Sequence, residues 1–221
     1  MSLDKIKRLY NLHEDNGYLK NELTELETRL KINLPLILKD YYLSLGKNKT
    51  INYSHNRLLN PNKEVRISDD GYLIFYEENQ AVVSWGIKNV DLKKKNPPVW
   101  GNYGTEESPD WHMETKTTED FLLLMAVYNG TLGGLKYNAN SFGAIPIETV
   151  DTIKNNWKQI IDISQERQKV YTNNFEEVIS LSFNEKGNCS AIFIGTISEN
   201  RFDALLDSLA VDWSYISDED E

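Results

Sequence analysis

Apolar positions along the chain recur with two periods, and the switches between them predict the order of elements. Leu3, Ile6, Leu9, Tyr10 and His13 fall at helical spacing, so a first amphipathic helix is predicted, stopped by Asp15-Asn16-Gly17. A second helix follows, with Leu19, Leu23, Leu26 and Leu30 on one stripe and Glu22, Glu25 and Glu27 pointing elsewhere. Pro35 fits the first position of a third helix, where its missing N–H costs nothing. Leu34, Ile37, Leu38, Tyr41, Tyr42 and Leu45 supply its buried side, and Gly46 fits the position just past its end. Lys47 to Pro61 is polar and turn-rich and reads as a surface loop, and Val65 to Ile67 as a short strand.

The period then changes. Tyr72 to Tyr76 is an unbroken apolar and aromatic run, which suits a strand covered on both faces. Glu77, Glu78, Asn79 and Gln80 read as a short polar loop, and Ala81 to Ile87 as a second strand. Two β-rich runs joined by four polar residues predict a hairpin in the middle of an antiparallel sheet. Pro97 and Pro98 cannot donate ladder bonds and belong at an edge or between strands. Gly101 to Asp110 reads as an exposed loop, and Trp111 to Glu114 as a short strand. Thr117, Thr118, Glu119 and Asp120 open a helix with a hydroxyl cap and acids in the first turn. Phe121 to Val127 is apolar all round, so this helix is buried, and Asn129-Gly130 stops it. Ile147 to Ile153 reads as a short helix, while Trp157 to Ile163 fits helix or strand. Phe175–Phe183 and Asn188–Gly195 read as strands, with Ile179, Leu181 and Phe183 on one face and Ser180 and Ser182 on the other. Ser198 caps a last helix carrying Phe202, Leu205, Leu206 and Leu209. The predicted class is α+β: a mainly antiparallel sheet with N-terminal helices, one buried central helix and a C-terminal helix. A single domain over residues 1–216 and a frayed acidic tail over 217–221 are expected.

Composition narrows the functional classes. Of 221 residues, 40% are hydrophobic and 26% charged, ordinary for a soluble globular protein with a sizeable core. The net charge of −10 argues against direct nucleic-acid binding, which needs a basic surface, and suits a basic partner. No apolar run approaches the roughly 18 residues that span a bilayer. The N-terminus lacks a signal peptide's apolar segment, and Cys189 is the only cysteine, so a cytoplasmic protein with no membrane association is expected.

Candidate chemistry is sparse. No phosphate-binding glycine fingerprint, nucleophile elbow or zinc-protease motif is present. Gly130, Gly133 and Gly134 are dense, but no lysine-serine pair follows them, so they read as a turn. His13, His55 and His112 are far apart, with no metal-ligand spacing. Cys189 lies in a predicted strand, where a lone cysteine behaves as a small apolar residue. Glu77 and Glu78 are adjacent carboxylates, but neighbours on a strand point to opposite faces and are badly placed to flank one glycosidic bond. Glu106, Glu107 and Asp110 stand beside Trp100, Tyr103 and Trp111. That mixture is either a solvated loop packed over the sheet or a protein-binding surface, since Trp and Tyr are favoured anchors. No catalytic residue, cofactor or metal site is therefore expected.

Several of these residues together resemble a family. Leu26-Glu27, Leu30, Leu34-Pro35, Tyr41-Tyr42 and Leu45-Gly46 are similar to its opening signature. Tyr72 to Glu78, Gln80 to Ile87, Asp91 and Pro97-Pro98-Val99-Trp100 are similar to its central one, and Trp111, Thr118 and Phe121-Leu122 to the segment after it. This is the SUKH superfamily, which includes the yeast cell-wall glucan-synthesis regulator and many bacterial immunity proteins. The resemblance covers roughly residues 20–130, with a looser fit to Ala210-Val211-Asp212-Trp213; Asn96 departs from the family's usual Asp before Pro-Pro. It implies an α+β fold, no enzymatic activity, and a protein that binds and neutralises a cognate polymorphic toxin, often a nuclease, as a monomer or homodimer. The alternative it implies is a regulatory scaffold in cell-wall synthesis. A third reading is a hydrolase using Glu77 or Glu78. For the toxin-binding reading, residue type places the interface on Glu77, Glu78, Tyr103, Glu106, Glu107, Asp110 and Trp111.

Overall fold

The computed structural model describes residues 2–105 and 107–217. It is an α+β fold with two antiparallel sheets, and the chain divides into two compact units where the sequence pattern has one domain over 1–216. Glu106 and residues 218–221 of the acidic tail lie outside the described residues.

Unit 1 spans residues 2–3 and Glu14–Met125. Helix α1 (Ser2–Leu9) begins in it, and α2 (Lys20–Leu30), α3 (Leu36–Leu45) and the short α4 (Lys49–Asn52) follow. Leu23 and Leu26 are fully buried, but Leu19 is 63% exposed at the N-cap of α2, so the apolar stripe is shorter than the periodicity predicts. Pro35 takes the N-cap of α3. The expected loop over 47–61 is partly core. Asn48 caps α4 through its side chain, and Ile51, Leu58 and Leu59 are fully buried. The Tyr42 hydroxyl reaches the Leu59 carbonyl at 2.9 Å. Polar asparagines hide this segment from pattern reading because their hydrogen bonds replace the apolar signal.

The sheet of unit 1 holds β1 (Arg57–Leu58), β2 (Arg66–Ile67), β3 (Tyr72–Glu77), β4 (Ser84–Lys88), β5 (Val99–Asn102) and β6 (Trp111–Thr115). The order is β1-β3-β4-β5-β6, with β2 also on β3. The expected hairpin is β3–β4, although β3 runs on through Glu77, and the expected loop from Gly101 begins with a strand. Helix α5 (Thr118–Asn129) closes the inner face. Its Phe121 is fully buried, with ring centroids 5.5 Å from Phe75, 5.5 Å from Tyr76 and 5.8 Å from Trp85. Edge-to-face aromatic packing of this kind adds to the area buried.

Unit 2 spans Asp4–His13 and residues 126–217. The first helix ends at Leu9, earlier than Asp15-Asn16-Gly17 predicts, and Asn11 turns the chain with a φ of 49°. Tyr10 donates to the Ala126 carbonyl at 2.8 Å. A π-turn over Gly130–Gly134 carries on past the expected stop, and Gly133 supplies a φ of 107°. The sheet comprises β7 (Tyr137–Phe142), β8 (Lys158–Gln159), β9 (Gln168–Thr172), β10 (Glu177–Phe183), β11 (Cys189–Thr196) and β12 (Tyr215–Ile216). Its order is β12-β7-β11-β10-β9-β8. Helices α6 (Ile147–Asn156) and α7 (Glu199–Ser208) pack Val150, Ile153, Phe202 and Leu205 onto Ile179, Leu181, Ile192 and Ile194.

Glu177 is a buried carboxylate in this unit, 3% exposed, accepting from Trp157 Nε1 at 3.1 Å and Arg201 Nη1 at 3.0 Å. Burial pushes its carboxyl up from 4.5, against the pull of Arg201 and Trp157. The native state then holds a proton over a range in which the unfolded chain has released it. That favourable contribution is complete below pH 4.5 and lost as pH rises through the higher folded value. Glu177→Gln is therefore expected to flatten the fall of stability with pH above 4.5. Urea unfolding across a pH series checks this, and parallel curves for the two proteins would contradict it.

Candidate functional site

The outer face of the unit 1 sheet, opposite α5, carries Trp111 and Glu77 of the predicted site. Strand alternation and register fix its rows. Glu77 pairs Ser84, Ser84 pairs Asn102 and Asn102 pairs Trp111, so these four form one cross-strand row. Three interstrand spacings put its ends roughly 14 Å apart. The next row is Ile74, Gly86, Trp100 and Met113, and Tyr72 pairs Lys88 beyond it. The same alternation that buries Phe75 and Trp85 thus sends Tyr72, Lys88, Trp100, Trp111 and Met113 outward together.

These side chains form a continuous stack. The Trp111 ring lies on Tyr72 with centroids 3.7 Å apart and planes 7° from parallel. Its indole N–H donates to Asp70 Oδ2, and Asp70 Oδ1 accepts from the Ser68 hydroxyl. Lys88 Nζ sits 3.6 Å from the Trp100 ring centroid and 5.9 Å from that of Tyr72. A cation over an indole face is worth about 0.5–1 kcal/mol at an exposed site. Burial, helped by Asp70, pushes the Tyr72 phenol up from 10.0 and keeps it neutral. Beside the stack is a groove of about 260 Å³, lined by Arg66, Asp70, Asn102 and Trp111 among others.

The β5–β6 hairpin carries the rest. Asn102 Oδ1 accepts from the Gly104 and Asp110 amides at 3.0 and 2.8 Å, which closes the loop. Tyr103 is 51% exposed, and its hydroxyl donates to Glu114 Oε2 at 2.6 Å. Gly101 leaves the room for this: a Cβ there would lie 2.9 Å from the Tyr103 ring and 3.0 Å from Trp85 Nε1. Asp110 Oδ1 lies 2.9 Å from His112 Nε2, both exposed, and Glu107 is exposed on the loop. Trp111 and Tyr103, neighbours across the hairpin, therefore serve opposite faces of one edge.

Two predicted residues do not belong to an open surface. Glu77 is 6% exposed, not part of a solvated loop. Arg57 holds its Oε2 at 2.6 Å and Arg66 its Oε1 at 2.9 Å, so both oxygens are committed inside the unit. A carboxylate buried this way needs such partners, so Glu77 acts as a structural ion within the unit and not as an exposed interface residue. Glu78 is half-buried and accepts from the amides of Gln80 at 2.8 Å and Val82 at 3.4 Å, bracing the β3–β4 turn. The two neighbouring carboxylates are thus spent separately and do not flank one groove. Tyr103, Glu107, Asp110 and Trp111 share the β5–β6 hairpin, and Glu106 lies outside the described residues. Sequence reasoning missed Lys88 and Met113 on the outer face and Tyr72 beneath Trp111; counting alternation along β4 from Trp85 would have found Lys88, whereas Tyr72 is placed only by the β3–β4 register, which shifts between Ile74 and Tyr76.

Elsewhere the molecule offers little chemistry. No group of three metal-ligating side chains occurs among the described residues. Cys189 is buried in β11, where burial pushes its thiol up. A second cavity, of about 510 Å³, lies in unit 2 between Trp157, Tyr171, Phe183 and Lys169. Among the described residues no helix is long and apolar enough to cross a membrane. No family model, no curated protein and no solved structure matches the chain.

Proposed function

We propose that this chain is an immunity-type binding protein of the SUKH kind, which neutralises a cognate toxin by protein–protein contact in the cytoplasm. The observation that carries the reading is the outward Trp111–Tyr72–Lys88–Trp100 stack, with the exposed Tyr103, Glu107 and Asp110 on the adjoining β5–β6 hairpin. Large aromatic side chains ringed by polar groups are the composition of binding hot spots. The net charge of −10 suits a basic toxin, such as a nuclease whose substrate groove is cationic. Opposite charges speed the encounter and are screened by salt.

The test is binding between this protein and the C-terminal domain of a toxin encoded beside it, at low and high salt, with toxin activity read in parallel. Tight association that weakens with salt and silences the toxin is the expected result. No association with any neighbouring toxin, or association that leaves the toxin active, would overturn the proposal.

A further inference from the structure

We infer that β6 is a docking edge which takes an extended strand from a basic protein partner into the unit 1 sheet. The inference rests on the reading of unit 1 as a protein-binding module and names how the partner is held. Three observations carry it.

The first is length. The other strands at the margins of the two sheets, β1, β2, β8 and β12, have two residues each, whereas β6 has five. Native sheets blunt their edges with short strands, prolines and lysines because an open ladder recruits other chains. The first four edges follow that rule. Trp111 to Thr115 contains no proline and no lysine, and its register shift falls at Glu114, leaving Trp111 to Met113 in regular pairing with β5.

The second is register. The Tyr103 amide donates to the Asp110 carbonyl at 2.9 Å, so these two form a hydrogen-bonded pair. Bonded and non-bonded pairs alternate along an antiparallel ladder. Asn102 and Trp111 are then a non-bonded pair, Gly101 and His112 a bonded one, and Trp100 and Met113 non-bonded. The N–H and C=O groups of Trp111 and Met113 therefore point away from β5, off the edge of the sheet. Met113 is 51% exposed and His112 is exposed, consistent with an open margin.

The third is chemistry, which selects the occupant. An added strand would send alternate side chains to the two faces. Those beside Trp111 and Met113 reach the aromatic outer face, where apolar groups fit. Those between them reach Asp110, His112 and Glu114, where cations fit. A second copy of this chain fits poorly: the pairing that uses both open residues sets Trp111 against the copy's Met113 and so brings Asp110 opposite the copy's Glu114. Like charges directly opposite destabilise a sheet.

The test is a titration of the full chain, followed by amide NMR and hydrogen exchange, with a seven-residue peptide alternating arginine and valine. Saturable shifts at Trp111–Met113, with the Trp111 and Met113 amides newly protected, are expected. The same peptide with a central proline, or with glutamate for arginine, should not dock. Met113→Pro removes an N–H that bonds nothing within the sheet and should weaken docking at least tenfold. Asp110→Lys, which leaves the backbone unchanged, should do the same. Equal binding of the proline-broken peptide would overturn the inference, since charge alone would then suffice. So would self-association that protects both amides without peptide. Toxin neutralisation with those amides still exchanging freely would overturn the edge and leave the proposed function standing. Peptide docking with no effect on any neighbouring toxin would support the edge and sink that function.

Discussion

Replacing Phe121 with alanine is expected to lower the stability of the protein by about 3–5 kcal/mol, the usual cost of truncating a fully buried aromatic residue. The ring has no exposed surface and meets Phe75, Tyr76 and Trp85 at once. Its loss removes burial and leaves a cavity bounded by three rigid rings anchored on β3 and β4. Such walls relax little, which places the cost toward the upper part of the range. Urea unfolding followed by tryptophan fluorescence reads the effect as a shift of midpoint at constant slope. A change below about 1 kcal/mol would show that α5 does not organise the inner face. Partner binding should survive in the folded fraction, because the Trp111–Tyr72–Lys88–Trp100 stack lies on the other face.

Replacing Trp111 with alanine is expected to do the opposite: little to folding, much to binding. The ring is only half-buried, stacked on Tyr72 and tied to Asp70. Losing the stack costs about 0.5–1.5 kcal/mol beyond its area, which a folded unit tolerates. A true aromatic anchor contributes about 2 kcal/mol or more to association, roughly a thirtyfold change in affinity. Calorimetric titration with the cognate toxin, beside a thermal melt of the variant, separates the two effects. A variant that melts like the parent and binds with unchanged affinity would remove Trp111 from the interface. Phe121→Ala and Trp111→Ala thus divide one sheet by face, the inner for stability and the outer for recognition.

Local pattern was enough for elements whose signal lies within one segment. The all-apolar run from Phe121 to Val127 is buried throughout, the β3–β4 and β10–β11 hairpins form, and Phe202, Leu205 and Leu209 face the core. Pattern failed where polar side chains do structural work. Strand β7 reads Tyr-Asn-Ala-Asn-Ser-Phe and gave no apolar signal. Yet Asn138 is buried with its amide on the Leu135 carbonyl, and Ser141 reaches the Asp212 carbonyl. Strand β9 was missed for the same reason: Gln168 is buried against Ser180 and Tyr128. Apart from Leu135, those partners are distant in sequence, and no window of neighbouring residues contains them.

The candidate site divides along the same line. The sequence by itself determined that Tyr103 and the acids near it lie in one exposed polar segment leading into a short strand at Trp111, because loop composition and strand propensity are local; that Val99–Asn102 pairs with that strand was not legible in it. It also determined the acidity that suits a basic partner. Only the tertiary structure decided that Glu77 is a buried ion between Arg57 and Arg66, that Tyr72 and Lys88 join Trp100 and Trp111 in one stack, and that two sheets form. The physical reason is that a charge or a ring takes its role from what lies across the strand or across the chain. Register and burial set those neighbours, and both are properties of the assembled sheet.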